Sequence, residues 1–442
     1  MTTLRSAPGA GMTALAGLLL RSGAVRHPVL ARDAARRGLP GVIRLAAARH
    51  PGSVVLLRGD ETITAGDLNA EVQDHGATQD LAPGTRVGVR SDGGIPFIVT
   101  LAAALDAGLD AVPLGTRISP ADVATLGLHA ILDPRRDGEA SPDHSRRRGR
   151  AGRLLLLTTG TTGFPLATTR GRMGLRAAAQ LADADRRIGL PLDGPLLLLA
   201  PPDHGHGLSA IVGALLRGVQ VVLASGLSAA DQAALVRRHD PASISGVPAQ
   251  LARLLDVLAT ETGGIGRARV VVSGSSPLTP ALRARLEDAG ARVHDGFGAT
   301  ATGTVAIDGR PLAGVRMRRA ADGSLAVRSP LGGRSWISTG DLVEFVDGRV
   351  VPAGRTGALV DSGGELLDPT RLHRLLSEHP GVVAAEVLVV PDDLLGAVLH
   401  ARVDADPALE PQLRAAIADG VGRSEHPRRL EFGTVPVSDL RR

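Results

Sequence analysis

The 442 residues exceed what one hydrophobic core organises, so a large body with a smaller appendage is expected. Hydrophobic residues make up 43% and charged residues 21%, which excludes a disordered or collagen-like chain, and the absence of cysteine excludes disulfides, thiolate nucleophiles and cysteine-ligated metals. All 50 basic residues are arginine, the net charge is a modest +5, and no basic face is interleaved with aromatic residues, which argues against a nucleic-acid partner.

The apolar run Leu15 to Leu20 is far shorter than the roughly 20 residues that span a bilayer. It ends at Arg21 rather than at a small-residue cleavage site, so it reads as a helix, in a protein of the cytoplasm with no transmembrane segment. From Pro40 to about Ile131, the short apolar runs Ser53–Leu57, Arg86–Val89 and Ala111–Leu114 alternate with helical periodicity such as Phe97–Ala107. The charged stretch Asp133–Gly152 reads as a surface connection. Strands are expected at Leu154–Leu157, Pro195–Ala200, Val219–Ala224, Ser243–Gly246 and Ala268–Val272, with Ser228 and Thr279 as helix N-caps. Repeated strand and helix units imply a parallel sheet covered on both faces.

Past about Ser329 the pattern shifts to short strands and turns, such as Val346-Asp347-Gly348-Arg349-Val350. A compact α+β tail then carries helix Pro369–Glu378, strands Val382–Val390 and Val398–Val403, and helix Glu410–Val421. The fold class is therefore α/β. Parallel sheets flanked by helices and a β-rich subdomain form the large unit, followed by a small α+β domain. The expected divisions are 1–39 as a helical extension, 40–355 as the body and 356–442 as the small domain.

Thr158-Thr159-Gly160-Thr161-Thr162-Gly163 follows an apolar strand. Its glycines let the backbone approach a ligand, and its hydroxyls and successive N–H groups suit phosphate oxygens. An ordered set of motifs lies downstream: Ala200-Pro201-Pro202-Asp203-His204-Gly205-His206-Gly207, Ser273-Gly274-Ser275-Ser276-Pro277, Gly296-Phe297-Gly298-Ala299-Thr300, Ser338-Thr339-Gly340-Asp341, Gly354-Arg355 and Ser362-Gly363-Gly364-Glu365. The pattern is neither that of a P-loop nucleotide hydrolase nor that of a dinucleotide-binding dehydrogenase.

In that order and spacing, from about residue 40, the sequence resembles the adenylate-forming superfamily of AMP-binding acyl-CoA synthetases, with the nearest likeness to actinobacterial long-chain fatty acid-CoA ligases. The resemblance implies that ATP, with Mg2+, activates a carboxylic acid to an acyl-adenylate. The acyl group then passes to coenzyme A once a small, mobile C-terminal domain has rotated. It implies that Thr158 to Gly163 hold the β and γ phosphates, with Thr161 as the one metal contact, and that Ser273, Gly274, Ser275, Ser276 and Pro277 lie along the adenine. Phe297, Gly298, Ala299 and Thr300 would pass between adenine and acyl pocket, and Asp341 with Arg355 would meet the ribose hydroxyls. His204 would stand at the mouth of the acyl pocket and share the catalytic role with Thr300, and Gly363 and Gly364 would meet the coenzyme A arm. With five phenylalanines and one tryptophan in the chain, the pocket is expected to be aliphatic and its substrate an aliphatic, fatty acid.

Departures from the family pattern are chemical, not conservative. Leu166 and Ala167 follow Pro165 where the resemblance calls for a lysine and a glycine. Ala301 stands where a magnesium-binding glutamate is expected, and Gly357 replaces the charged hinge residue. The tail Val435 to Arg442 has no lysine, leaving Arg170, Arg172, Arg441 and Arg442 as candidate substitutes, although arginine is shaped differently. Each lost donor costs roughly 10²- to 10³-fold in rate. A weakened ligase is therefore expected, and the alternative is a catalytically impaired fold that binds nucleotide, acyl chain or a partner protein.

Overall fold

The computed structural model describes residues 3–5, 11, 13–15, 17, 26–76, 81–116, 118–134, 151–159, 165–169, 175–261, 264–333, 335–356 and 359–435, with backbone alone at 158–159, 165–169, 175 and 260–261. The central layer is a nine-stranded sheet. Six of its strands run parallel, in the order Val54–Arg58, Val221–Leu223, Leu196–Leu198, Ser243–Gly246, Val270–Gly274, Arg292–Ala299. Antiparallel strands close its two edges, Glu61–Thr64 on one and Gly303–Ile307 with Arg310–Pro311 on the other.

Strand side chains alternate between faces, and here both faces are covered. Leu56, Leu196, Leu198, Val221 and Leu223 join one core with Val42, Phe97, Leu101 and Ile211, while Leu57, Leu197, Leu199 and Val222 join the other with Leu251, Leu255 and Leu286. The expected doubly covered parallel sheet is therefore present, and Ser228 and Thr279 cap their helices by accepting from the backbone N–H of Asp231 at 3.1 Å and Leu282 at 3.2 Å. A second parallel sheet contains Arg86–Arg90, Asp110–Leu114 and Ala130–Leu132. Most of the predicted connection before Gly152 lies outside the described residues, as does most of the Leu15–Leu20 run.

The β-rich part begins earlier than its turn pattern suggests. Arg316–Arg319 and Ser324–Arg328 already belong to a five-stranded antiparallel sheet with Ile337–Val346 and Arg349–Arg355. Its fifth strand is Thr3–Arg5, which pairs with Arg316–Arg319, so the stretch expected to be a helical extension also contains a strand. Three residues carry no periodic signal, and only the exposed edge of a distant strand gives them partners. Asp347 and Gly348 turn the last hairpin with φ of 49° and 73°, the backbone that a two-residue hairpin loop requires.

Beyond Arg355 come the hairpin Val360–Ser362 with Glu365–Leu367, helix Pro369–Ser377 and a sheet of Val382–Asp392, Gly396–Ala405 and Arg429–Phe432. Leu367, Leu372, Leu376, Val403, Leu413 and Ile417 form a separate core beneath them. Among the described residues, no helix is long and apolar enough to cross a membrane.

Candidate nucleotide and acyl site

The carboxyl ends of the parallel strands meet one cavity of about 1380 Å³. Strand Val270–Gly274 delivers Ser273, Gly274 and Ser275 to its wall, strand Arg292–Ala299 delivers Gly298 and Ala299, and the turn beyond adds Thr300 and Ala301. The β-rich sheet contributes Ser338, Thr339, Gly340 and Arg355, and helix Gly205–Arg217 presents His204 and His206 at its start. Two features mark this end as shaped for function. Ser275 adopts φ of 71°, a conformation that a non-glycine residue holds only when its surroundings impose it. A Cβ on Gly298 would stand 2.2 Å from the Gly303 carbonyl oxygen, so this crossing of strands admits glycine alone.

Polar groups at this end are fixed by one another. Arg355 donates to Asp341 and, at 2.9 Å, to the Thr339 carbonyl, while Asp341 N–H donates to Thr339 Oγ1 at 3.3 Å. Burial raises the pKa of Asp341, and the Arg355 charge opposes that rise. Asp341 pairs with Arg355 across the hairpin, yet it is Thr339, Gly340 and Arg355 that line the cavity. Asp203 accepts from Ser91 Oγ at 2.9 Å and lies 3.6 Å from half-exposed His204. His206 shares its Nε2 with Ser245 Oγ at 2.9 Å, and burial, followed by the nearby His204, lowers its pKa to about 4. It is therefore neutral at physiological pH.

Buried polar atoms normally have partners. Ser273 Oγ, His206 Nδ1 and Arg355 Nε are buried and have none, and all three residues line this cavity. Such a wall fits a polar ligand of the nucleotide class. Ala301 presents only a methyl group, which offers magnesium no ligand, and no cluster of three or more acidic or histidine side chains suited to a metal occurs among the described residues.

Similarity to known proteins agrees with this geometry. The AMP-binding enzyme profile matches residues 133–367. The chain belongs to the AMP-binding enzyme family. This AMP-binding protein is 30% identical over 345 residues to a probable 2-succinylbenzoate–CoA ligase of Mycobacterium tuberculosis, covering 72% of this chain and 87% of that one. It is 26% identical to the fatty acid–[acyl-carrier-protein] ligase MmaC of Mycobacterium marinum, over 90% and 93% of the two chains. Its fold matches the o-succinylbenzoate CoA synthetase of Bacillus subtilis bound with a product analogue, at a TM-score of 0.76 and 20% identity, covering 89% and 95% of the chains. The alternative of a catalytically impaired fold finds no support in these similarities.

Not every motif residue of this AMP-binding protein reaches the cavity. Phe297 packs against the core of the β-rich sheet, and Gly363 lies against Leu395. Gly364 does reach it, facing Ser275 and Ser276, and Ser276 Oγ donates to Asp361 Oδ1 at 2.8 Å. Pro277 is absent from the lining. Thr158 and Thr159 end strand Leu155–Thr159, which pairs with Pro165–Thr169 and so sets Leu166 opposite Thr158. Gly160, Thr161, Thr162, Gly163 and the candidate substitutes Arg170, Arg172, Arg441 and Arg442 lie outside the described residues, as does Gly357. The sequence motifs missed Ser245 and Asp361 and gave His206 no role in the site; its place two residues after His204 in the same motif is the signal that could have found it.

Proposed function

We propose that this protein is an acyl-CoA synthetase, a ligase that joins an aliphatic carboxylate to the AMP moiety of ATP, supplied as its magnesium complex, with release of pyrophosphate, and then passes the acyl group to the thiol of coenzyme A with release of AMP. The observation that carries this reading is the continuity of the cavity. A single cavity is lined both by Ser273 and Arg355, with their unpartnered donors, and by His204 and the apolar side chains of Leu154, Leu156, Leu181, Ile188, Leu208 and Val212. No phenylalanine, tyrosine or tryptophan occurs among the described residues that line it. Such walls reward each buried methylene by about 0.8 kcal/mol and offer an aryl ring none of the large aromatic side chains that would stack on it. Of the acids named for the two relatives, the fatty acid suits this aliphatic lining better than 2-succinylbenzoate.

In this reading Arg355, held by Asp341, positions the ribose end, and the Ser273–Ser275 segment takes the adenine. His204 stands where the acid enters, and the hairpin carrying Gly364 guides the thiol. Residues 40–355 act as the AMP-binding body, behind the N-terminal extension 1–39, and 356–442 as a small domain that moves between the two half-reactions in the cytoplasm. The test is acid-dependent exchange of labelled pyrophosphate into ATP, across straight-chain acids of increasing length and aryl acids. Exchange should rise with chain length and be lost in Asp341→Ala. No exchange with any acid would overturn the ligase reading, and preference for aryl acids would overturn the aliphatic one.

A further inference from the structure

Arg371 lies in helix Pro369–Ser377 of the small domain and is 8% exposed. Its guanidinium donates to the Gly420 carbonyl at 2.7 Å and lies 3.4 Å from Glu425 Oε2, both within the small domain. It also donates to Asp122 Oδ1, on the short helix Pro120–Thr125 of the body, so one arginine serves two carboxylates on opposite sides of the interface.

Both carboxylates are held ready for it. Ser119 Oγ donates to Asp122 Oδ2 at 2.8 Å and caps the same helix by accepting from Asp122 N–H at 3.1 Å, leaving Oδ1 for Arg371. Glu425 accepts from the N–H groups of Asp368 and Gly422, each at 3.1 Å. If the small domain turned away, the contacts to Gly420 and Glu425 would travel with Arg371. The contact to Asp122 exists only in the present orientation, which also sets Gly364 against Ser275 and joins Asp361 to Ser276.

We propose that Asp122 and Arg371 form a latch that selects this orientation of the small domain, with Arg371 as a positioning residue for the hairpin over the cavity. The inference rests on the proposed division into a body and a mobile small domain, not on turnover. A water-excluded ion pair has a net worth well below its raw attraction, because both charges are rehydrated on separation. Its chief effect is on which arrangement is populated. The latch is thus strong enough to bias the orientation and weak enough to release it. Asp122, Arg371, Gly422, Ser424 and Glu425 also line the cavity, so release opens the cavity on this side.

The cysteine-free chain permits a direct test. Cysteines placed by Asp288→Cys on the body and Gln412→Cys on the small domain, both exposed positions, carry spin labels whose separation is read by pulsed paramagnetic resonance. The parent should show a dominant distance. Asp122→Asn, which keeps shape and removes charge, should lower that population relative to others by about 5-fold or more, whereas Asp122→Glu should keep it. Arg371→Gln breaks the same pair from the other side and should repeat the shift. Distributions that coincide with the parent in both Asp122→Asn and Arg371→Gln would overturn the latch, as would an Asp122→Glu distribution matching Asp122→Asn. The distances are read without turnover, so absence of pyrophosphate exchange leaves this result standing on its own.

Discussion

Asp295 offers a test of whether the site is held at a cost to stability. It immediately precedes Gly296-Phe297-Gly298 and is partly buried, with its N–H donating to Asp308 Oδ1 at 2.9 Å. Burial pushes its pKa from the ordinary 3.8 up to about 6; the Asp308 charge adds to the rise and the Arg283 charge opposes it. A shift of that size corresponds to about 3 kcal/mol. Its sign follows from proton binding. The folded chain holds the Asp295 proton more tightly than the unfolded chain, so the favourable contribution is complete below pH 3.8 and is lost as pH rises through 6. Asp295→Asn removes the buried charge and should therefore stabilise the protein by up to about 3 kcal/mol at pH 8, with the gain falling to about half that at pH 5. Urea unfolding at the two pH values, followed by the fluorescence of the single tryptophan, Trp336, measures both numbers. A variant no more stable than the parent at pH 8, or a gap that does not change with pH, would refute the reasoning. A stabilised variant with slower pyrophosphate exchange would place the carboxylate's cost at the service of the site.

His206 should remain neutral from pH 8 to pH 6 and titrate only near 4, so the stability it confers is present above the ordinary 6.5 and declines as pH falls toward 4. Side-chain NMR titration checks this, and a midpoint near 6.5 would contradict the burial argument. Where the resemblance calls for a phosphate-contacting lysine, Leu166→Lys should raise acid-dependent pyrophosphate exchange by roughly 10²-fold. An unchanged rate would mean that another residue already supplies the missing charge.

Much of the body was legible because its signals are local. Strand Val270–Gly274 opens on three valines and is almost wholly buried, and a doubly covered parallel strand reads in a sequence as a short continuous apolar run. Ser228 and Thr279 announce their helices through a hydroxyl beside an unsatisfied N–H, a contact spanning three residues. Thr3–Arg5 was illegible for the opposite reason: nothing in three residues marks a strand until Arg316–Arg319 lies beside them. Motif order identified the cavity wall at Ser273, Gly298, Thr300, Arg355 and Gly364, but Phe297 faces the β-rich core because alternation along its strand turns it from the cavity that Gly298 lines.

The sequence alone determined the chemistry available: a set of glycine- and hydroxyl-rich segments, no thiol, no lysine, and Leu166 and Ala301 at positions where the family resemblance calls for charge. Those facts follow from residue identity and need no geometry. Tertiary structure decided which of these groups meet. Pairing of Ile337–Val346 with Arg349–Arg355 placed Arg355 on Asp341, packing over Gly274 buried His206 and made it neutral, and docking of the small domain set Arg371 between Asp122 and Glu425. Asp122 and Arg371 are 249 residues apart, and no local pattern encodes a contact that exists only when two separately cored units meet.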